Sequence, residues 1–163
     1  MKTPSNIIRH TLLTVASLAL LAVASSGCGS LRLRTPDGFA RLPDQAPNYQ
    51  LRSVSADGVV LAVRAQPNRV EGSLAFWSEA IDRTVRADAN YVGIATAEVH
   101  TTAGLAGRRL EYVVGDAATG HRYWIAVFVT HAQVYVIETG GAHGPFDRAR
   151  PELERAIRSF SPG

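Results

Sequence analysis

The sequence predicts an α+β fold with a mainly antiparallel six-stranded sheet, built from a hairpin and a four-strand meander and covered by helices on both faces. Three observations predict it. An Asp57-Gly58 turn separates two apolar runs, and an amphipathic helical pattern comes after them. Four strand patterns then succeed one another with short links, which favours antiparallel neighbours. The run Tyr123 to Val129 is apolar on both alternating faces, as is typical of a strand covered on both sides.

Residues 1–27 have the pattern of a secretory signal peptide. Lys2 and Arg9 flank the start of an uncharged run, Thr11 to Ala24, and small residues occupy positions 25–27. The apolar run is too short for a membrane-spanning helix, which needs about 20 residues. We therefore expect this segment to be removed during export.

The only cysteine, Cys28, directly follows those small residues, at the position where the signal peptides of bacterial lipoproteins carry the cysteine that receives lipid. Ser25 stands where that pattern usually has an apolar residue. A single thiol has no disulfide partner within its own chain. The sequence thus predicts a lipid anchor on Cys28, and an ordinary secretory signal with an incidental cysteine is the alternative. Gly29, rather than Asp, follows, which resembles the sorting pattern of Gram-negative lipoproteins of the outer membrane. This resemblance implies a location at the outer membrane, with the domain facing the periplasm.

Charge and length limit the possible functions of the mature chain. Removal of residues 1–27 from 163 leaves 136, enough for one domain. Lys2 and Arg9 leave with the signal, so 15 basic residues remain against 14 acidic ones. A nearly neutral chain without a basic cluster does not predict nucleic-acid binding.

Residues 28–48 are predicted to be a tether, and residues 49–163 a domain. Three prolines and two glycines interrupt the first segment, where no apolar period is sustained. A flexible tether of about 20 residues would span roughly 25 Å. Phe39 and Leu42 are apolar enough to attach its second half to the domain.

The domain begins with the hairpin, whose strands Tyr49 to Val54 and Val59 to Arg64 flank the turn at residues 55–58. A helix is predicted from Ser73 to about Ala87. Its apolar residues recur at helical spacing on one face, and they are Leu74, Trp77, Ile81 and Val85.

The four meander strands are predicted at residues 91–100, 108–114, 121–130 and 133–138. A short closing helix follows, in which Pro145 and Pro151 each suit a first helical turn. Its apolar face is predicted to consist of Leu153, Ala156, Ile157 and Phe160.

This order resembles the PsbP-like fold, an αβα sandwich, and bacterial lipoproteins of unknown function related to DcrB. The matching pieces are the turn at residues 55–58 with its following strand, Phe76-Trp77 in the helix, the turn and strand from Gly104 to Tyr112, and Ser159-Phe160 at the end. The resemblance covers about Tyr49 to Phe160. It implies a binding or assembly factor without enzyme activity, and it carries over no functional residue.

Sequence motifs for catalysis or metal binding are missing. The chain has no HExxH, no paired cysteines and no GxSxG. The meander places His100 and His131 at one end of the sheet and His121 and His143 at the other, so the histidines do not form one cluster. We expect no cofactor and no metal, and surface turns explain the histidines.

One candidate site remains at the sheet end near His121 and His143. The glycine-rich stretch from Gly140 to Gly144 joins a strand to a helix, where backbone N–H groups can hold an anion. The candidate ligand or anion residues are Asp116, His121, Arg122, Gly140, Gly141 and His143. Glycines that only make a turn, and an Asp116 that only shapes one, are the alternative.

The sequence thus predicts a lipid-anchored cell-envelope protein that acts as a non-catalytic binding or assembly factor through contacts with another envelope protein. The alternative is a carrier or enzyme that uses the sheet end near His121 and His143.

Overall fold

The computed structural model describes residues 31–43, 48–116 and 118–163. The predicted signal peptide and Cys28 lie outside these residues. Within them, seven strands form one antiparallel sheet and two helices pack against it. In chain order the elements are β1 (Phe39–Arg41), β2 (Leu51–Ser55), β3 (Val60–Pro67), α1 (Leu74–Arg86), β4 (Tyr91–His100), β5 (Ala106–Val114), β6 (His121–Val129), β7 (Gln133–Ala142) and α2 (His143–Arg158).

The described sheet has the spatial order β1-β2-β3-β7-β6-β5-β4. The predicted hairpin and meander are both present, and Gly58 adopts the positive φ of 79° that its turn requires. The two units meet where β3 pairs with β7, for example at Val63 opposite Ile137. The last meander strand therefore lies at the centre of the sheet.

The strand count differs from the prediction because β1 adds a seventh strand. Phe39 pairs with Ser55, and Arg41 pairs with Ser53. Three residues give too short a pattern to identify a strand, and only the free edge of β2 gives this segment a partner. In its described part, the segment predicted as a tether thus contributes to the sheet.

Side chains of β6 alternate between two hydrophobic clusters. Trp124, Ala126 and Phe128 belong to the cluster that α2 completes. Ile125 and Val127 belong to the cluster against which α1 packs. Because successive residues of a strand point to opposite faces, the two clusters lie on opposite faces of the sheet. The predicted apolar face of α1 packs against the second cluster through Leu74, Trp77, Ile81 and Val85.

Helix α1 begins where the sequence predicts. The Ser73 hydroxyl accepts a hydrogen bond of 3.1 Å from the Phe76 amide, as an N-cap does. Helix α2 is longer than predicted, because it starts at His143 and includes Pro151 in its interior. Its predicted apolar residues are buried, and Phe146 adds a further buried ring. Packing of these residues against the sheet offsets the cost of an internal proline.

Candidate functional site: the sheet groove

A groove runs along the sheet beside α1. The helix packs against β4, β5 and β6, which leaves space over β7 and β3. A cavity of about 650 Å³ lies there, between α1 and the segment 48–50. Its apolar lining comes from both the helix and the sheet, namely Trp77, Ala80, Ile81, Val85, Ile125, Val134 and Val136.

A second cavity of about 480 Å³ continues the first. Tyr49, Tyr123 and Glu138 line both cavities, so the two form one elongated space, which we call the sheet groove. The second cavity extends toward the end of the sheet where β6 begins at His121. The sheet groove therefore passes from the apolar face of α1 to the sheet end with His121 and Arg122.

A polar cluster lies in the middle of the sheet groove. Glu138 is buried except for 13% of its side chain, and its Oε1 accepts hydrogen bonds from Arg64 at 2.6 Å and from the Tyr123 hydroxyl at 2.8 Å. Burial, followed by the negative charge of Glu138, raises the pKa of Tyr123 well above its usual value. Tyr123 therefore remains a neutral hydrogen-bond donor.

The register of the sheet positions this cluster. Glu138 lies opposite Ile125 on one side and Ala62 on the other, so its carboxylate projects from the central part of the sheet. Tyr123 lies opposite Gly140, where a Cβ atom would come within 3.3 Å of the tyrosine ring. A glycine at this position thus leaves space for the ring beside Glu138.

Arginine contacts also place Tyr49 at the rim of the sheet groove. The guanidinium carbons of Arg52 and Arg64 lie 5.7 and 5.8 Å from the centre of the Tyr49 ring, within range of a cation–π contact. Arg64 thus connects the rim aromatic ring with the buried Glu138.

The predicted site residues are only partly brought together. His121, Arg122, Gly140 and Gly141 line the second cavity. Asp116 and His143 do not line it, although both lie at the same end of the sheet. The prediction that His100 and His131 lie at the opposite end is confirmed by the strand register.

Asp116 shapes its turn. Its Oδ1 accepts hydrogen bonds from the amides of Ala118 and Thr119, at 2.8 and 3.1 Å, and these bonds lower the pKa of the carboxyl group. His143 lies in the first turn of α2, with its Nε2 2.9 Å from Asp147. Both side chains thus have local partners.

Gly140 and Gly141 of the predicted anion loop lie within β7, and Gly144 lies in the first turn of α2. A Cβ atom on Gly141 would approach Val59 to 3.0 Å. Close packing in the sheet therefore accounts for Gly141, and the stretch 140–142 is a strand end rather than an open loop. The geometry of a phosphate-binding loop is not present in this stretch.

Sequence reasoning missed Tyr49, Arg64, Tyr123 and Glu138 as site residues. A charged residue next to an apolar run is visible at Arg64 and again at Glu138. Their pairing was not visible, because the two residues are 74 positions apart and meet only through the β3–β7 pairing.

A second ionic cluster lies on the face covered by α2. Arg109 donates to Glu111 at 2.9 Å and to Glu154 at 3.3 Å, and its guanidinium carbon lies 4.1 Å from the centre of the Trp124 ring. Arg150, 4.0 Å from Glu111, adds a second positive charge, so the two arginines and two glutamates compensate one another. The cluster connects β5 to α2. We regard it as structural.

Two further findings concern the described residues only. No group of three or more His, Cys, Asp or Glu side chains in them could hold a metal ion. No helix among residues 31–43, 48–116 and 118–163 is long and apolar enough to cross a membrane.

Comparison with known proteins shows likeness in structure only. No protein-family model matches the sequence, and no curated protein matches it significantly. Among solved structures, the chain is similar to LpqN of Mycobacterium tuberculosis, a protein involved in cell envelope biogenesis. The TM-score is 0.66 at 10% identity, and the match covers 80% of this chain and 82% of LpqN.

Two other solved structures have the same architecture. The cyanobacterial PsbP protein of Synechocystis matches with a TM-score of 0.60 at 15% identity, over 88% of this chain and 99% of that one. The Ran-binding protein Mog1p of Saccharomyces cerevisiae matches with a TM-score of 0.56 at 11% identity, over 82% of this chain and 90% of that one. At identities this low, the similarity is evidence for a shared fold and not for a shared activity. The chain therefore has a PsbP-like α+β fold, with a seven-stranded antiparallel sheet and two helices in its described residues.

Proposed function

We propose that this protein is a lipid-anchored protein of the cell envelope that binds an uncharged amphipathic molecule in the sheet groove and does not catalyse its conversion. The observation that carries the proposal is the groove itself, which has an apolar floor and one hydrogen-bonded polar cluster at its middle. The anchor is the lipid expected on Cys28.

The size of the groove favours a small molecule. Ligand pockets have volumes of about 300 to 1,000 Å³ and are mostly apolar, with a few polar groups that orient the ligand. The first cavity, at about 650 Å³, is within this range.

The charges at the middle of the groove favour a ligand group without net charge. Arg64 and Glu138 neutralise each other at 2.6 Å, so an anion would have to displace Glu138 from Arg64. A hydroxyl or amide can instead bond to the remaining lone pairs and protons of this pair. The ligand class is therefore an apolar body with a neutral, hydrogen-bonding head.

The absence of catalysis is inferred from the polar side chains. In the described part of the chain, no histidine is hydrogen-bonded to a serine or threonine hydroxyl, which is the arrangement that activates a nucleophile. In the polar cluster of the sheet groove, Arg64 and Tyr123 both donate to Glu138, so these groups bond to one another.

A blocking substitution tests the groove. Ala80 lines the sheet groove from α1, whereas Ala75, on the same helix, is exposed and does not line it. Ala80→Trp should weaken binding of the uncharged probe N-phenyl-1-naphthylamine at least about tenfold, since the indole fills the space the probe needs. Ala75→Trp should leave binding unchanged. Equal probe affinity in both variants, with circular dichroism showing that both are folded, would contradict the proposal.

The anchor is tested separately by mass spectrometry of the mature amino terminus. A diacylglyceryl group on Cys28 is the expected result. An unmodified Cys28, or cleavage at another residue, would remove the anchor from the proposal without affecting the groove.

A second candidate function is assembly with another envelope protein through β4. In the described sheet this ten-residue strand pairs only with β5, and Val92 and Ile94 on it are exposed. A free edge can accept an extended segment of a partner as an additional strand. Crosslinking in intact cells should recover less partner with Val92→Lys and Ile94→Lys together than with Ala40→Lys on the other edge strand. Equal recovery from both would refute this candidate.

A further inference from the structure

We propose that one end of the domain, marked by Val70 and Phe76, docks onto the bilayer that holds the lipid anchor. We call this surface the docking end. The inference rests on the proposed anchor at Cys28 and does not depend on a ligand in the sheet groove.

The start of the described chain lies close to the expected anchor. Leu31 and Leu33 pack against the α2-side core cluster, and Arg32 and Ser161 exchange two backbone hydrogen bonds of 2.9 Å. Leu31 is three positions after Cys28 in the sequence, a distance along the chain of at most about 11 Å. A lipid on Cys28 would therefore hold this part of the domain at the headgroups, whereas a tether of about 20 residues would have let it move roughly 25 Å away.

Val70 and Phe76 lie at the same end of the sheet as that point. Helix α2 ends at Arg158, whose carbonyl accepts a bond of 2.7 Å from Thr102 in the β4–β5 turn. Strand pairing aligns that turn with the β6–β7 turn, and β3 ends opposite the start of β7, at Pro67 and Gln133. The loop that follows β3, and with it Val70, thus emerges at this end.

Both apolar side chains are unusually exposed, at 65% for Val70 and 52% for Phe76. Phe76 lies in the first turn of α1, and Val70 lies in the loop before it, which is firmly held. The buried Asn68 side chain donates to the carbonyls of Gly72 and Thr130, each at 3.1 Å, and accepts from the Gly72 amide and the Trp77 ring, each at 2.9 Å. Val70 therefore projects from a fixed loop.

The surrounding charges suit a lipid surface. Arg69 beside Val70 and Arg158 at the end of α2 are exposed, and Glu71 is an acidic residue in the same loop. Apolar side chains with flanking arginines favour the interface of a bilayer that contains anionic lipid. Two side chains would bind weakly alone, but the lipid expected on Cys28, three positions before Leu31, would make their contact with the bilayer effectively intramolecular.

The test uses the full lipidated chain in vesicles of phosphatidylethanolamine and phosphatidylglycerol at a ratio of about 3:1, a composition rich enough in anionic lipid to attract arginine. A fluorescent label is placed at Val70→Cys or, as the control, at Ala56→Cys in the β2–β3 turn at the opposite end. A quencher carried by the lipids should quench the label at residue 70 at least about twofold more than the label at residue 56.

A third label position is needed because the label at residue 70 replaces one of the two side chains that are proposed to dock. A label at Ala132→Cys, in the β6–β7 turn of the docking end, should be quenched in the otherwise unchanged chain. This quenching should decrease when Val70 and Phe76 are both replaced by serine.

Equal quenching at residues 70 and 56, in protein whose Cys28 lipid is verified by mass, would overturn docking and leave the proposed function intact. An unlipidated Cys28 would overturn both the anchor and the docking inference. Shielding of residue 70 that occurs in cells, but not in protein-free vesicles, would identify a protein as the occupant and would also overturn docking.

Discussion

At the residue scale, Asn68 shows how one buried amide can organise a loop. It is 6% exposed, and its side chain takes part in four hydrogen bonds. These bonds join the end of β3, the start of α1 and the β6–β7 turn. The loop that carries Val70 depends on this single residue.

Asn68→Ala should therefore lower the free energy of unfolding by about 3 kcal/mol, because it leaves several buried partners without a bond. Urea denaturation measures the change. Asn90→Ala is the matched control, since the Asn90 side chain is exposed and bonds only to Asp88, and it should change stability by no more than about 0.5 kcal/mol. Similar losses in the two variants would contradict this account of the loop.

A second residue-scale prediction concerns Glu111. It is 7% exposed, and it is the closer of the two carboxylates that pair with Arg109. Glu111→Ala should cost about 3 to 5 kcal/mol, because it leaves most of a buried arginine charge without compensation.

The control for Glu111 is Glu79→Ala, which breaks an exposed pair with Arg83 on α1 and should cost at most about 1 kcal/mol. Both values come from denaturant unfolding. A loss at Glu111 no larger than at Glu79 would show that Glu154 alone compensates Arg109.

At the scale of the element, α2 contains two prolines in different helical settings. Pro145 lies in the first turn, where a backbone N–H has no intrahelical acceptor in any case. Pro151 lies in the interior, so the carbonyl of Asp147 loses its usual donor.

Pro151→Ala should therefore stabilise the protein by roughly 1 to 2 kcal/mol, which is the gain in helix propensity less the added entropy of the unfolded chain. Pro145→Ala should produce no gain. Thermal unfolding of the two variants decides the matter, and a stabilisation at Pro145 as large as that at Pro151 would refute the argument.

At the scale of the whole molecule, two tyrosines in the core make the free energy of unfolding depend on pH in the alkaline range. The pKa of Tyr112 is raised by burial first and then by its hydrogen bond to Asp82, and the pKa of Tyr123 is raised by burial first and then by Glu138. A raised folded-state pKa contributes stability that is complete below the unfolded value of about 10 and is lost as pH rises above it.

Stability should thus fall steeply above about pH 10, by at most about 1.4 kcal/mol per pH unit for each of these two tyrosines. Denaturation at several pH values should show a shallower fall in a Tyr112→Phe, Tyr123→Phe double variant. Phenolate absorbance should rise together with unfolding. Full phenolate formation in protein that is still folded would contradict the prediction.

Much of the fold could be predicted because its elements carry local signals. The Asp57-Gly58 turn, the helix start at Ser73 and the helical spacing of Leu74 and Trp77 each depend on neighbouring residues, and each is confirmed. Strand β1 could not be predicted, because three residues form a strand only where an edge is free to pair with them.

The candidate site was predictable only in part, for the same reason. The sheet end with His121 was identified because it follows from strand order, and it lines the second cavity. The polar cluster escaped prediction because Arg64 and Glu138 come together through the pairing of β3 with β7. No signal in the sequence around either residue distinguishes the pairing of β3 with β7 from other possible strand pairings.

The sequence by itself determined the element types, the hairpin and the meander, since turn chemistry and apolar periodicity act over a few residues. It also predicts an anchor at Cys28. Tertiary structure alone decided that β7 lies beside β3, that the groove contains a neutralised Arg64–Glu138 pair, and that the chain packs into the domain from Leu31. These features depend on contacts between residues far apart in the chain, and such contacts form only when the whole sheet is assembled.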